Sequence, residues 1–151
     1  MFFMMDSAGA RRGGRTTRGI PALPIALLIA ATACVDRLPD QDLRIRGETP
    51  IAKMSVDHLW KDFQEDAAAA RTRYWGKAVE VSGTPTRSDG RDATGAYLLF
   101  AQSGELGVRA HLLDDGAAEI IKRGSAGERL TLKCYCDGID GHVLLKSCVT
   151  P

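Results

Sequence analysis

The stretch Ser55–Gly83, SVDHLWKDFQEDAAAARTRYWGKAVEVSG, changes from helical to strand periodicity and so decides how the rest of the chain is interpreted. Its apolar side chains first recur every three or four residues, as on one face of a helix. These are Leu59, Phe63, Ala67, Ala70 and Tyr74. Ser55 is a suitable helix N-cap and Gly76 a suitable helix end. Val79 and Val81 then alternate with polar residues, which indicates that an amphipathic helix leads directly into a first strand.

The sequence after this stretch alternates short apolar runs with turn residues, which is typical of a small β-domain. The predicted strands are Lys77–Thr84, Ala96–Ala101, Gly107–Leu113, Leu130–Cys136 and His142–Val149. Ser88-Asp89-Gly90 is expected to be a turn, and Ala117–Lys122 a short helix. This order predicts a mainly β (α+β) fold, a five-stranded OB-fold barrel with an N-terminal amphipathic helix and a short helix between strands three and four. Another small five-stranded barrel or roll is the alternative.

Residues 1–33 have the pattern of a secretory signal peptide. A basic segment precedes the apolar run Ile20–Ala33, which ends in the small-residue cleavage pattern Ala31-Thr32-Ala33. The apolar run is shorter than the roughly 20 residues that a transmembrane helix requires. We therefore predict export of the protein, and we predict that residues 1–33 do not belong to the folded domain.

Cys34 follows the cleavage pattern immediately. Ala31-Thr32-Ala33-Cys34 resembles the lipobox of bacterial lipoproteins, although alanine stands at the position where that family usually has leucine. The resemblance implies that Cys34 is the lipid-attachment residue, and Val35 after it implies an outer-membrane lipoprotein that faces the periplasm. A soluble secreted protein is the alternative, because an ordinary signal peptidase would cut the same bond. Residues 34–53 are rich in charge and proline and are predicted to be a tether.

Residues 54–151 are predicted to be one OB-fold domain, a size that suits independent folding. The whole chain carries 20 basic and 19 acidic side chains. Cleavage after Ala33 would remove four arginines and Asp6, leaving 16 basic and 18 acidic side chains and a net charge of −2. Nucleic-acid binding is therefore not expected, since phosphate backbones require clustered positive charge.

The chain has four cysteines, and lipidation of Cys34 would leave an odd number in an oxidising compartment. We predict a disulfide between Cys136 and Cys148, on neighbouring strands of a hairpin. The pair Cys134–Cys148 is the alternative. A zinc site formed by Cys134, Cys136, His142 and Cys148 is not favoured, because Cys-x-Cys is not the usual zinc spacing.

The sequence contains no pattern that indicates catalysis. Glycine-rich phosphate loops and nucleophile elbows are absent, and the three histidines have no partner at a catalytic spacing. Asp114 and Asp115, and likewise Asp89 and Asp92, are interpreted as turn and cap residues rather than acid–base pairs. We therefore expect a non-enzymatic protein that needs no cofactor and no metal.

The helix, the first strand and the last hairpin also resemble the tRNA_anti-like OB-fold family of bacterial putative lipoproteins and exported proteins. The residues that carry the resemblance are Leu59, Phe63, Asp66, Ala70, Tyr74, Gly76, Lys77, Val79, Val81, Gly83, Cys136, Gly138, Val143, Leu145 and Cys148. The resemblance spans about residues 55–149. It implies the OB fold, and it brings no catalytic residues with it.

Strands two and three of an OB fold, with the adjoining loops, are its usual ligand-binding face. Strand alternation places Arg109 and His111 outward on strand three, and we assign Tyr97 outward on strand two because tyrosine tolerates water. These three residues are the predicted ligand-binding patch; an ordinary solvated strand face is the alternative. The function that we expect is a lipid-anchored binding or adaptor module of the bacterial cell envelope. Its partners would be the membrane and a peptide, glycan or protein, and a single-stranded nucleic acid is the alternative ligand.

Overall fold

The computed structural model of the chain describes residues 38–151. The predicted signal peptide (1–33) and the predicted lipid-attachment residue Cys34 lie outside the described residues, and both stay predictions. Among residues 38–151, no helix is long and apolar enough to cross a membrane.

The single helix predicted after Ser55 is two helices, α1 (Val56–Glu65) and α2 (Ala67–Tyr74). Ser55 caps α1 as predicted. Asp66 ends α1 because its backbone is extended, with φ −152° and ψ 90°. Its carboxylate accepts a 2.9 Å hydrogen bond from the N–H of Ala69 and so caps α2. A short polar side chain that caps the second helix therefore interrupts the helical run.

The described residues form one sheet of seven strands and a third helix, which confirms a mainly β fold and corrects the predicted number of five strands. The elements are β1 (Lys53–Ser55), β2 (Ala78–Gly83), β3 (Arg87–Asp92), β4 (Gly95–Ser103), β5 (Leu106–Leu112), α3 (Ala117–Ser125), β6 (Leu130–Asp140) and β7 (His142–Val149). The five predicted strands and the short helix all occur close to their predicted positions. The two additional strands are β1, from the predicted tether, and β3, which contains the predicted turn Ser88-Asp89-Gly90.

The strand order is β1-β2-β6-β7-β5-β4-β3. Within residues 38–151 no strand pairing closes the sheet, which corrects the predicted closed barrel. Strands β1 and β2 pair in parallel, as do β5 and β7, and the other neighbours are antiparallel. Only three residues separate β2 from β3, although the two strands pair at opposite ends of the sheet. Pro85 lies in this connection and cannot donate a ladder hydrogen bond, so strand pairing is interrupted there.

One face of the curved sheet packs on the helices and forms the main core. Leu59 and Phe63 of α1 and Tyr74 of α2 are buried in it together with apolar residues of β2, β4, β5, β6 and β7. Gly83, at the end of β2, shows how closely the curved sheet returns on itself. A Cβ there would lie 3.2 Å from Cδ1 of Phe100 on β4 and 2.5 Å from a methyl group of Val56. The opposite face is called the outer face below.

Residues 38–53, which we call the N-terminal strap, pack on the outer face, so the tether prediction is wrong for the described part of 34–53. The strap contains a 3-10 helix, Leu43–Arg46, and ends with the first residue of β1. Ile45 is fully buried in a second core. The other buried members of this core are Ala78, Leu113, Tyr135 and Val149. Burial of the apolar side chain of Ile45 stabilises the packing of the strap on the sheet.

Polar contacts also hold the strap on β6 and β7. The Lys133 ammonium donates 3.0 Å hydrogen bonds to two strap carbonyls, those of Arg46 and Glu48. The hydroxyl of Ser147 accepts a 2.8 Å hydrogen bond from the N–H of Asp42. Sequence reasoning missed these contacts because they join residues more than 80 positions apart.

The disulfide joins Cys134 to Cys148, so the predicted pair Cys136–Cys148 is wrong and its alternative is correct. The strand register gives the reason. Lys133 pairs with Val149, which places Cys134 opposite Cys148, and a register shift follows. Cys136 pairs instead with Leu145, three residues from Cys148. The free thiol of Cys136 is buried, and burial raises its pKa to about 11.

Candidate functional site

The three residues of the predicted ligand-binding patch lie side by side on the outer face. Tyr97 of β4 pairs with His111 of β5, and Leu99 pairs with Arg109. The Arg109 guanidinium carbon lies 4.6 Å from the centroid of the Tyr97 ring. The rings of Tyr97 and His111 are 5.5 Å apart. The exposure of His111 differs from the prediction, because its side chain is buried, at 5% exposed, and is not on a solvated surface.

Asp92 at the end of β3 completes this cluster, although the sequence indicated only a turn or cap residue there. Its Oδ2 lies 2.7 Å from Nε2 of His111 and 3.7 Å from Nη1 of Arg109. Burial raises the pKa of Asp92, but hydrogen bonds from Thr94 and His111 outweigh burial and lower it to about 2. Alternation along β3 could have pointed to Asp92, but Ser88-Asp89-Gly90 has the composition of a turn.

Two adjoining cavities, of about 410 and 270 Å³, run along the outer face beside the strap. Arg109 and His142 line both, so we treat the two as one outer groove. Tyr97 and Leu99 line the smaller cavity. The larger cavity alone is within the size range of small-molecule sites.

Trp75 and Arg71 form the far wall of the larger cavity. The Arg71 guanidinium carbon lies 5.2 Å from the centroid of the Trp75 ring. Gly138 of β6 makes room for this pair, because a Cβ there would come within 2.9 Å of Nη1 of Arg71. Gly138 also has a φ of +89°, which favours glycine. The sequence did not point to Trp75 as a site residue.

Three buried nitrogen atoms in this groove make no hydrogen bond. They are Nε of Arg109, Nδ1 of His111 and Nδ1 of His142, and among residues 38–151 no other buried side-chain nitrogen or oxygen lacks a partner. Burial and the nearby charge of Arg109 lower the pKa of His142, which keeps its imidazole neutral at pH 7. Buried polar groups without partners are rare and call for an explanation.

The charges that line the two cavities are balanced. The basic side chains are Arg71, Arg87, Arg109 and Lys146, and the acidic ones are Asp92, Glu105, Asp137 and Asp140. Lys146 is also neutralised locally, since its ammonium lies 2.9 Å from Asp40 and 3.0 Å from Asp137. A groove with this balance lacks the clustered positive charge of a phosphate-backbone site.

The part of the chain that the structure describes contains no group of three or more His, Cys, Asp or Glu side chains placed to hold a metal ion. The zinc set considered from the sequence is excluded by the Cys134–Cys148 disulfide, which uses two of its four ligands. The described site therefore offers hydrogen bonds, aromatic surface and charge.

One comparison with known proteins gave a match. The family model described as tRNA_anti-like matches residues 22–149, which include all seven strands and all three helices of the fold. Searches of the curated proteins and of the solved structures found no match.

Proposed function

The chain belongs to the tRNA_anti-like family, and on that premise we propose that it is a non-enzymatic binding or adaptor module whose ligand occupies the outer groove. The family suggests an OB-fold binding module. The predicted strands two and three correspond to β4 and β5, whose outer face contributes Tyr97, Arg109 and His111 to the groove. In OB folds this face commonly binds ligands.

The observation that carries the proposal is the set of three unpartnered nitrogens on Arg109, His111 and His142. Folding that leaves buried polar groups without hydrogen bonds costs about 1–3 kcal/mol for each group. Their position in one groove, rather than scattered through the fold, favours a site kept for binding over an ordinary strand face.

We further propose that the protein is lipid-anchored at Cys34 in the bacterial cell envelope and faces the periplasm from the outer membrane. The Cys134–Cys148 disulfide supports an oxidising compartment. Intact-mass measurement of protein from the native host should show a lipid adduct that Cys34→Ser removes. An unmodified Cys34 at the mature N-terminus would leave the alternative, a soluble secreted form.

Hydrogen–deuterium exchange of the full chain tests the groove, with and without a detergent-solubilised envelope extract. We expect the extract to slow exchange in β4, β5 and β7 near Arg109 and His142. The helical surface of α1 is the internal control, because its exposed residues line neither cavity. Slowed exchange confined to α1 or to the strap would contradict the proposed site.

A single-stranded nucleic acid is the second candidate ligand, and one observation favours it. Two aromatic rings, Tyr97 and Trp75, each lie against a guanidinium in the groove, and such rings stack on bases in OB folds. The balanced charge of the groove counts against this ligand. Binding of single-stranded DNA that weakens steeply with salt would favour it over the leading proposal.

A further inference from the structure

The larger cavity is lined by the pair Arg71 and Trp75 and, across the sheet, by Arg109. Tyr97, against which Arg109 lies, lines the smaller cavity. Gly138 of β6, beneath Arg71, pairs with Leu144 of β7, and Leu144 pairs with Arg109 of β5. Gly138 and Arg109 are therefore two strand spacings apart, which is about 10 Å between their backbones. From this arrangement we propose that the outer groove binds a saccharide that carries a carboxylate. The inference rests on the proposed function and specifies its ligand.

Arg71 and Arg109 are the cations of the larger cavity that still have donors to offer. Their side chains donate no hydrogen bond to a described residue, and Arg109 has only the 3.7 Å ion pair with Asp92. The third cation, Lys146, is committed to Asp40 and Asp137. A guanidinium is a planar fork of N–H donors, and it binds a planar carboxylate with two parallel hydrogen bonds.

The floor of the groove favours recognition by side chains alone. Strand β7 lies between β6 and β5, and β5 lies between β7 and β4, so ladder pairing uses their backbone groups on both sides. An extended peptide usually binds by adding a strand to a free edge, and neither β5 nor β7 is an edge strand; the edge strand near the groove is β3. A single-stranded nucleic acid would bring a phosphate for each nucleotide to a groove whose lining has as many acids as bases.

The remaining lining suits the hydroxyl groups and ring of a sugar. The carboxylates of Asp137 and Asp140 line the larger cavity and accept hydrogen bonds. The Trp75 ring gives an apolar surface for the C–H face of a pyranose and has an N–H donor at its edge. Two guanidinium groups that can bind a carboxylate, two acceptors for hydroxyls and one aromatic surface therefore line the same cavity.

Calorimetric titration of the full chain with two matched disaccharides tests the inference. Cellobiouronic acid and cellobiose differ by one carboxylate in place of a hydroxymethyl group. A charge-assisted hydrogen bond contributes enough for a preference of about tenfold or more, so we expect cellobiouronic acid to bind at least about tenfold more tightly. Arg71→Gln should reduce this preference severalfold, and its exposed position keeps the fold intact. Arg91→Gln is the matched control, because Arg91 is exposed on β3 and lines neither cavity.

Arg109→Lys is the second variant, because it keeps the charge but removes the planar fork. We expect it to lose the preference for the carboxylate while thermal unfolding shows that it is folded. Equal affinity for the two sugars, no binding of either, or an unchanged preference in both variants would overturn the inference. Tighter binding of an oligothymidylate or of an oligoglutamate peptide in the groove would overturn it as well.

The two proposals fail in distinguishable ways. If the envelope extract slows exchange around Arg109 and His142 but cellobiouronic acid does not bind, the saccharide inference is wrong and the binding function stands. If neither the extract nor the sugar affects these strands, both proposals are wrong.

Discussion

The outer face of the sheet has two halves, and they differ in whether their buried polar groups have hydrogen-bond partners. Under the N-terminal strap, Lys133 and Lys146 are buried, and their ammonium groups donate to strap carbonyls or pair with carboxylates. In the open half, nitrogens of Arg109, His111 and His142 are buried without a partner. Burial alone therefore does not identify a site. A charged residue whose contacts are complete stabilises the fold, whereas an incomplete cluster beside a cavity favours a role in binding.

The largest expected effect tests whether the strap belongs to the folded domain. Ile45→Ala should lower the free energy of unfolding by about 2–5 kcal/mol, because Ile45 is fully buried in the second core. Urea unfolding measures the change. Leu43→Ala in the same 3-10 helix is the control and should change stability by less than about 0.5 kcal/mol, since Leu43 is 64% exposed. Equal small effects would show that the strap does not pack in solution as described.

The next prediction concerns the loss of stability when the Cys134–Cys148 disulfide, beneath the half of the outer face that the strap covers, is removed. Cys148 adjoins Ser147, whose hydroxyl holds the strap, so the disulfide supports the part of β7 that the strap contacts. The free energy of unfolding of the double variant Cys134→Ala/Cys148→Ala should be about 3 kcal/mol lower, as expected when a disulfide closes a loop with a sequence separation of 14.

Cys136→Ala is the matched control for the disulfide. Its free energy of unfolding should fall by less than that of the double variant, because Cys136→Ala removes one buried sulfur and leaves the Cys134–Cys148 bond intact. Non-reducing peptide mapping of the unmodified protein should recover a Cys134–Cys148 peptide. A Cys136–Cys148 peptide would contradict the register of β6 on β7.

The five main strands, the short helix and the N-cap Ser55 could be predicted from the sequence because each depends on local periodicity or on a single polar side chain. The strap could not. Its proline and charge are typical of a linker, and the contacts that fix it, such as Lys133 to Arg46, reach across 87 positions of the chain.

The patch of Tyr97, Arg109 and His111 followed from alternation on two strands, which sets the face of a side chain. Alternation says nothing about what covers that face, so the burial of His111 was missed. Asp92 and Trp75 were missed for a related reason. Each comes from an element whose path depends on tertiary packing, and its local sequence resembles a turn or a core position.

A smaller effect tests the open half through its titration. The pKa of Asp92 is lowered to about 2 in the folded protein, so the carboxylate stabilises the fold above its unfolded pKa of 3.8. This contribution, on the order of 1 kcal/mol because Asp92 is partly solvated, should be lost as the pH falls from about 4 to 2. Urea unfolding at a series of pH values measures it. Asp92→Asn should flatten the curve in this window, and an unchanged pH dependence would contradict the hydrogen bonds that Thr94 and His111 make to the Asp92 carboxylate.

The last prediction compares two cations of the same face, Lys133, which is buried, and Arg109, whose side chain is 27% exposed. Lys133→Met should lose about 1.5–3 kcal/mol, because the strap carbonyls of Arg46 and Glu48 would lose a charged donor. Arg109→Met removes a buried nitrogen that has no partner among residues 38–151, and this gain offsets the lost contact with Tyr97 and the loose 3.7 Å ion pair with Asp92. Its free energy of unfolding should stay within about 0.5 kcal/mol of the unmodified protein, or rise.

The difference between these two free energies of unfolding, measured by urea unfolding at pH 7, tests the central claim most directly. That claim is that the strap half of the outer face stabilises the fold, whereas the groove half is kept for a ligand. The account predicts that Lys133→Met destabilises the protein and that Arg109→Met does not. A loss in Arg109→Met as large as that in Lys133→Met would contradict it, because Arg109 would then be a structural residue like Lys133.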